Sequence, residues 1–95
     1  MKTREHKLTR SGIVVTIPDD WTVADTQASQ RYGKGDVPKT NVALVQRVCL
    51  FDGEKWTIND IQTRIGGKDY NELMGELYGG EDEDEGGEGD EAGNA

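Results

Sequence analysis

Apolar and polar residues alternate early in the chain. In REHKLTRSGIVVTI, residues 4–17, Ile13, Val15 and Ile17 alternate with Val14 and Thr16, the period of a strand. Ser11-Gly12 supplies a turn and Pro18 closes the second strand, so the segment predicts a β-hairpin. A lone hairpin is marginal in water, so its apolar face needs a cover.

The pattern then changes to helical spacing. In WTVAD, residues 21–25, Thr22 and Asp25 form a capping box, with a helix to about Tyr32 whose buried side is expected to be Val23, Ala24, Ala28 and Tyr32. GKGD, residues 33–36, ends it. The same device recurs in WTIND, residues 56–60, with Thr57 as cap, Asp60 three residues on, and Trp56 and Ile61 as a hydrophobic staple. The flanking residues do not match, so this is one capping solution used twice rather than a repeat. Gly66-Gly67 keeps the second helix short.

Between the two boxes, KTNVALVQRVCLF, residues 39–51, places Val42, Val45 and Cys49 on one helical side and Leu44, Val48 and Phe51 on another. A helix apolar around its circumference is a central element. Its β-branched residues also admit a strand, but length and spacing favour helix. The clearest amphipathic stripe is in KDYNELMGELY, residues 68–78, where Tyr70, Leu73, Met74, Leu77 and Tyr78 recur at i, i+3, i+4, i+7 and i+8. Gly75 weakens that helix by about 1 kcal/mol relative to alanine. It also leaves room there for a close approach by another backbone or a bulky group. Gly79 and Gly80 stop it. The expected fold is α+β: an N-terminal β-hairpin packed on three or four short α-helices.

Charge divides the chain at the same point. Residues 1–78 carry eleven Lys/Arg and eleven Asp/Glu, so the net charge of −8 belongs to residues 79–95, with eight carboxylates and six glycines. That stretch has no large apolar side chain and is expected to be a disordered acidic tail beyond a small domain of residues 1–78. The core available to that domain is small, so a partner or self-association into a homo-oligomer would add burial.

Candidate chemistry is sparse. His6, the single histidine, lies without companion ligands and reads as a solvent-exposed strand residue rather than part of a zinc site. Cys49, the single cysteine, sits in the most apolar segment and reads as a small apolar side chain. GKGD and GGKD (residues 66–69) lack the spacing of a P-loop. The EDEDE run lacks the ligand spacing of an EF-hand. These readings leave no cofactor, no metal and no enzymatic constellation, so a binding function is expected. A neutral body and an acidic end disfavour nucleic acid. With no leader-like start and no spanning apolar run, a soluble cytoplasmic protein is expected.

Three segments carry a family resemblance: TVAD at 22–25, ALVQRVC at 43–49 and KDYNELM at 68–74. Together, over roughly residues 7–78, they resemble the small tail assembly chaperones of long-tailed bacteriophages and Mu-like prophages. The resemblance implies a non-enzymatic escort in the host bacterial cytoplasm. It would bind the tape measure protein and help recruit tail tube subunits. The stripe Tyr70, Leu73, Met74, Leu77 and Tyr78 would face a partner helix, or else close the domain core. Two alternatives stand beside it. The EDEDE run suggests an acidic mimic of nucleic acid that occupies a basic protein. The third is a small structural virion protein.

Overall fold

The computed structural model describes residues 2–79. The expectations for the acidic tail beyond Gly79 lie outside these residues. In chain order the elements are β1 (Thr3–Lys7), β2 (Val14–Pro18), α1 (Val23–Gly33), α2 (Val37–Val48), β3 (Leu50–Phe51), α3 (Ile58–Arg64) and α4 (Gly67–Gly79). The fold is α+β, as the hydrophobic pattern predicts.

The hairpin forms over the expected residues. Strands β1 and β2 pair antiparallel from Thr3 with Pro18 to Lys7 with Val14. The loop closes through Leu8 N–H donating to Ile13 O at 2.8 Å and Gly12 N–H donating to Leu8 O at 2.9 Å. Gly12 sits at φ +77°, the left-handed region that glycine enters without steric cost. Val15 and Ile17 are fully buried and Ile13 packs at their margin.

Both capping boxes form. Thr22 and Thr57 accept the N–H groups of Asp25 at 3.1 Å and Asp60 at 3.0 Å, and each aspartate accepts its threonine's N–H in return. The buried side of α1 differs from expectation. Val23 and Tyr32 are 71% and 51% exposed, Ala24 is exposed and Ala28 half-buried, whereas Ser29 and Gly33 are buried. The reason is close packing by small residues. A Cβ on Gly33 would lie 2.9 Å from Thr40 N and 3.0 Å from its Cα, so only glycine lets α1 and α2 approach this closely at their shared turn.

The apolar run at 39–51 does not stay helical. Asp36 caps α2 from outside by accepting Lys39 N–H at 3.0 Å, so the helix starts earlier than expected, and it ends at Val48. Cys49 is extended, and Leu50 and Phe51 pair with Thr16 and Val15 as a third strand. The order β1-β2-β3 makes a three-stranded sheet rather than a bare hairpin. What turns the chain is Asp52-Gly53, both at positive φ, with Phe51 and Glu54 exchanging backbone bonds of 2.8 and 3.0 Å. An Asp-Gly pair at positive φ is a favoured two-residue reversal.

One core joins the layers. Leu8, Val15 and Ile17 meet Val45, Cys49, Phe51, Trp56, Ile61, Leu73 and Leu77 there. Phe51 and Trp56 stack with ring centroids 4.4 Å apart, and the Arg64 guanidinium lies 4.1 Å over the Trp56 ring. That pairing combines aromatic and cation–π attraction.

Candidate functional site

The predicted stripe on α4 is divided by its packing. Leu73 is fully buried and Leu77 is 7% exposed, both inside the core. Tyr70 and Met74 are half-buried against it. Tyr78 is 45% exposed, edge-on to Trp21 at 5.8 Å. Leu73 and Leu77 thus close the domain, and Tyr70, Met74 and Tyr78 are the members that keep accessible surface. Gly75 faces open space, with no atom within 4 Å of a built Cβ. The close approach expected at this glycine therefore does not occur among the described residues.

Tyr70 belongs to a surface groove of about 330 Å³ where three helices converge. The first turns of α2 contribute Pro38, Lys39 and Val42. Ile61, Gln62 and Ile65 come from α3 and its C-cap, and Gly66, Gly67 and Tyr70 from the start of α4. Each wall follows from local sequence. Asp36 fixes where α2 begins, Thr57 fixes α3, and extended Ile65 breaks the helix so that Gly66-Gly67 can redirect the chain. A cavity of about 150 Å³ holds a benzene ring, so the groove takes about two anchors of that size.

Its chemistry is that of contact. The ionisable groups lining it are Lys39 and Tyr70. Burial, and secondarily the Tyr78 phenol, push the Tyr70 hydroxyl above its ordinary value, so it stays neutral at pH 7. Cys49 is remote from solvent, and burial pushes its thiol up to about 12. As a thiol at neutral pH it lacks the thiolate a nucleophile needs. No cluster of three or more His, Cys, Asp or Glu residues suited to a metal occurs among the described residues. None of their helices is long and apolar enough to cross a membrane.

The opposite side of α4 holds the hairpin. His6 is not solvent-exposed as expected: its side chain is 27% exposed and Nε2 lies 2.5 Å from Glu72 Oε2. Beside it, Arg4 donates to the Glu76 carbonyl at 2.6 Å and pairs with its carboxylate at 3.3 Å. Glu72 also accepts Thr9 N–H at 3.2 Å. The His6 hydrogen bond, then the Thr9 N–H, hold the Glu72 carboxyl below the usual range. Burial alone would raise the Asp69 carboxyl, but hydrogen bonds from Arg10 and Ser11 outweigh it and hold it low.

Of the groove's lining, only Tyr70 belongs to the stripe that periodicity marks on α4. Ile65 lies just before a glycine pair, between two helices, and that break was the available signal. Val42 and Ile61 read as ordinary core positions. Comparison with family models, curated proteins and solved structures finds no match to this chain.

Proposed function

We propose that this chain is a non-enzymatic escort of the tail assembly chaperone kind. It binds an apolar helix of a phage tape measure protein and helps bring tail tube subunits to it in the host bacterial cytoplasm. The supporting observation is the groove between α2, α3 and α4, lined by the apolar Val42, Ile61, Ile65 and Tyr70, of which Ile65 and Tyr70 keep accessible surface. A helix-in-groove contact needs this: an apolar trough that takes side chains spaced one turn apart. The resemblance of TVAD, ALVQRVC and KDYNELM to that family supports the same reading.

The test is co-expression with a long, helical, tape-measure-like protein. The escort reading expects that protein to become more soluble and to co-elute with the chain. It also expects Ile65→Asp, which puts a charge on the groove floor, to abolish co-elution. Unchanged solubility and separate elution of the two proteins would sink it.

A further inference from the structure

Strand β1 is an open edge of the sheet. The order β1-β2-β3 leaves one side of it without a neighbouring strand. Leu8 N–H donates to Ile13 O and Asp19 N–H donates to Lys2 O, both at 2.8 Å, at the two ends of its pairing with β2. Antiparallel bonding alternates along a strand, so Arg4 and His6 also bond to β2, while Thr3, Glu5 and Lys7 turn their N–H and C=O outward. Among the described residues no backbone group outside the sheet bonds these outward groups. The side chains divide in the same way. Arg4 and His6 point to α4, where they meet Glu76 and Glu72. Thr3, Glu5 and Lys7 point to the other face of the sheet and are exposed. Neither Glu5 nor Lys7 takes part in an ion pair among the described residues. Their neighbours across the ladder, Thr16 and Val14, are uncharged.

We infer that β1 pairs with β1 of a second copy of this chain, antiparallel about a twofold axis at His6, joining the two sheets into one. In this register Glu5 faces the partner's Lys7, and Lys7 faces the partner's Glu5. Opposite charges directly across two strands stabilise the pair, and like charges destabilise it. A twofold axis at Arg4, Glu5 or Lys7 would instead set a charge against its own copy. The charges thus select one register, and they repel unmatched strands from an edge that would otherwise accept them. None of the groove's lining residues lies on β1, so this inference stands apart from the escort reading.

The helices leave room for the pairing. Helix α4 packs over β2. Its two copies would stand three strand spacings apart, about 14 Å, whereas helices in contact lie about 8–10 Å apart. Glu72 and Glu76 are already engaged by His6 and Arg4, so the carboxylates nearest the axis bring their partners with them. Along α4 the chain passes from Glu72 beside His6 to Glu76 beside Arg4, which is away from the axis. The two C-terminal ends of α4, which the acidic residues follow, are therefore more than about 20 Å apart. That is over twice the screening length of about 8 Å at physiological salt, so repulsion between them is weak.

The experiment is sedimentation velocity on the full chain at physiological salt, from about 10 μM to 1 mM, a range suited to a small interface. A reversible monomer–dimer equilibrium is expected. Glu5→Lys and Lys7→Glu should each weaken the dimer at least about tenfold, since each turns two attractive pairs into two repulsive ones. An equimolar mixture of the two variants should dimerise more tightly than either alone, because opposite charges then face each other again. Both positions are exposed, so neither variant disturbs the core. Zero-length carbodiimide coupling of an equimolar mixture of isotopically labelled and unlabelled chains should join Glu5 of one copy to the partner's Lys7, a readout that needs no variant.

A chain that stays monomeric up to about 1 mM would overturn the inference. A dimer indifferent to both charge reversals, or coupled only through other residues, would overturn it in favour of another surface. Neither result would bear on the escort reading.

Discussion

The buried carboxylate of Asp69 on α4 accepts the backbone N–H of Ser11 in the hairpin loop at 2.8 Å. It also accepts Arg10 N–H at 3.0 Å, and is itself only 2% exposed. One side chain therefore satisfies two loop donors that no strand or helix bond serves. Asp69→Ala would leave both unpaired beside a small void, which is costly in a buried setting. We expect the melting temperature to fall by about 5–15 °C, by circular dichroism. A change within 2 °C or so would mean that water replaces the carboxylate without loss.

The same contacts set an acid limit on stability. Asp69, Glu72, Asp25 and Asp60 all have carboxyl groups held below their ordinary values. In Asp25 and Asp60 the leading cause is the backbone N–H of the capping threonine. A carboxyl whose folded value is depressed stabilises the fold above its unfolded value, about pH 4, and loses that contribution as pH falls through the folded value. Melting temperature should thus be flat from pH 7 to about 5 and fall steeply below about 4. Replacing Glu72 by Gln should flatten the fall, and an unchanged acid limb would show that Glu72 does not contribute to it.

Two glycines should respond in opposite directions to alanine. Gly33→Ala places a Cβ 2.9 Å from the backbone nitrogen of Thr40, so α1 and α2 must move apart. The expected cost is about 1–3 kcal/mol in urea unfolding. Gly75→Ala meets nothing within 4 Å and should stabilise by about 1 kcal/mol. Equal effects at both sites would contradict the packing of the α1–α2 turn.

Cys49 should be silent until the chain unfolds. Burial raises its thiol to about 12, and the nearby Lys55 charge only partly offsets this. A thiol reagent at pH 8 should react with the native protein at least about a hundredfold more slowly than with the protein in urea. Comparable rates would mean that the α2–β3 junction opens readily.

Local signals were legible because their physics is local. The two Thr-x-x-Asp boxes satisfy backbone donors within a single turn, so they hold wherever the chain places them. The alternation of Ile13, Val15 and Ile17 likewise read correctly, because a strand shows its buried face every second residue. The helix expected over 39–51 extends past its true end at Val48 for a related reason. Leu50 and Phe51 fit the helical period as well as the strand period, and the Asp52-Gly53 reversal decides between them only when β2 is there to pair. On α1 burial does not follow hydrophobicity: Ser29 and Gly33 are buried while Val23 and Tyr32 are exposed, and at Gly33 closeness to Thr40 of α2 is gained rather than apolar area.

The sequence by itself determined the hairpin, the four helical segments, the two Thr-x-x-Asp caps, the buried thiol and the apolar stripe on α4. Only the tertiary structure decided how that stripe is shared. Leu73 and Leu77 go to the core, while Tyr70 joins Val42, Ile61 and Ile65 in a groove no single segment contains. It also decided that His6 lies against Glu72, 66 residues away. Periodicity reports which face of one element is apolar. Which part of that face stays open depends on the neighbouring elements, and these come from distant parts of the chain.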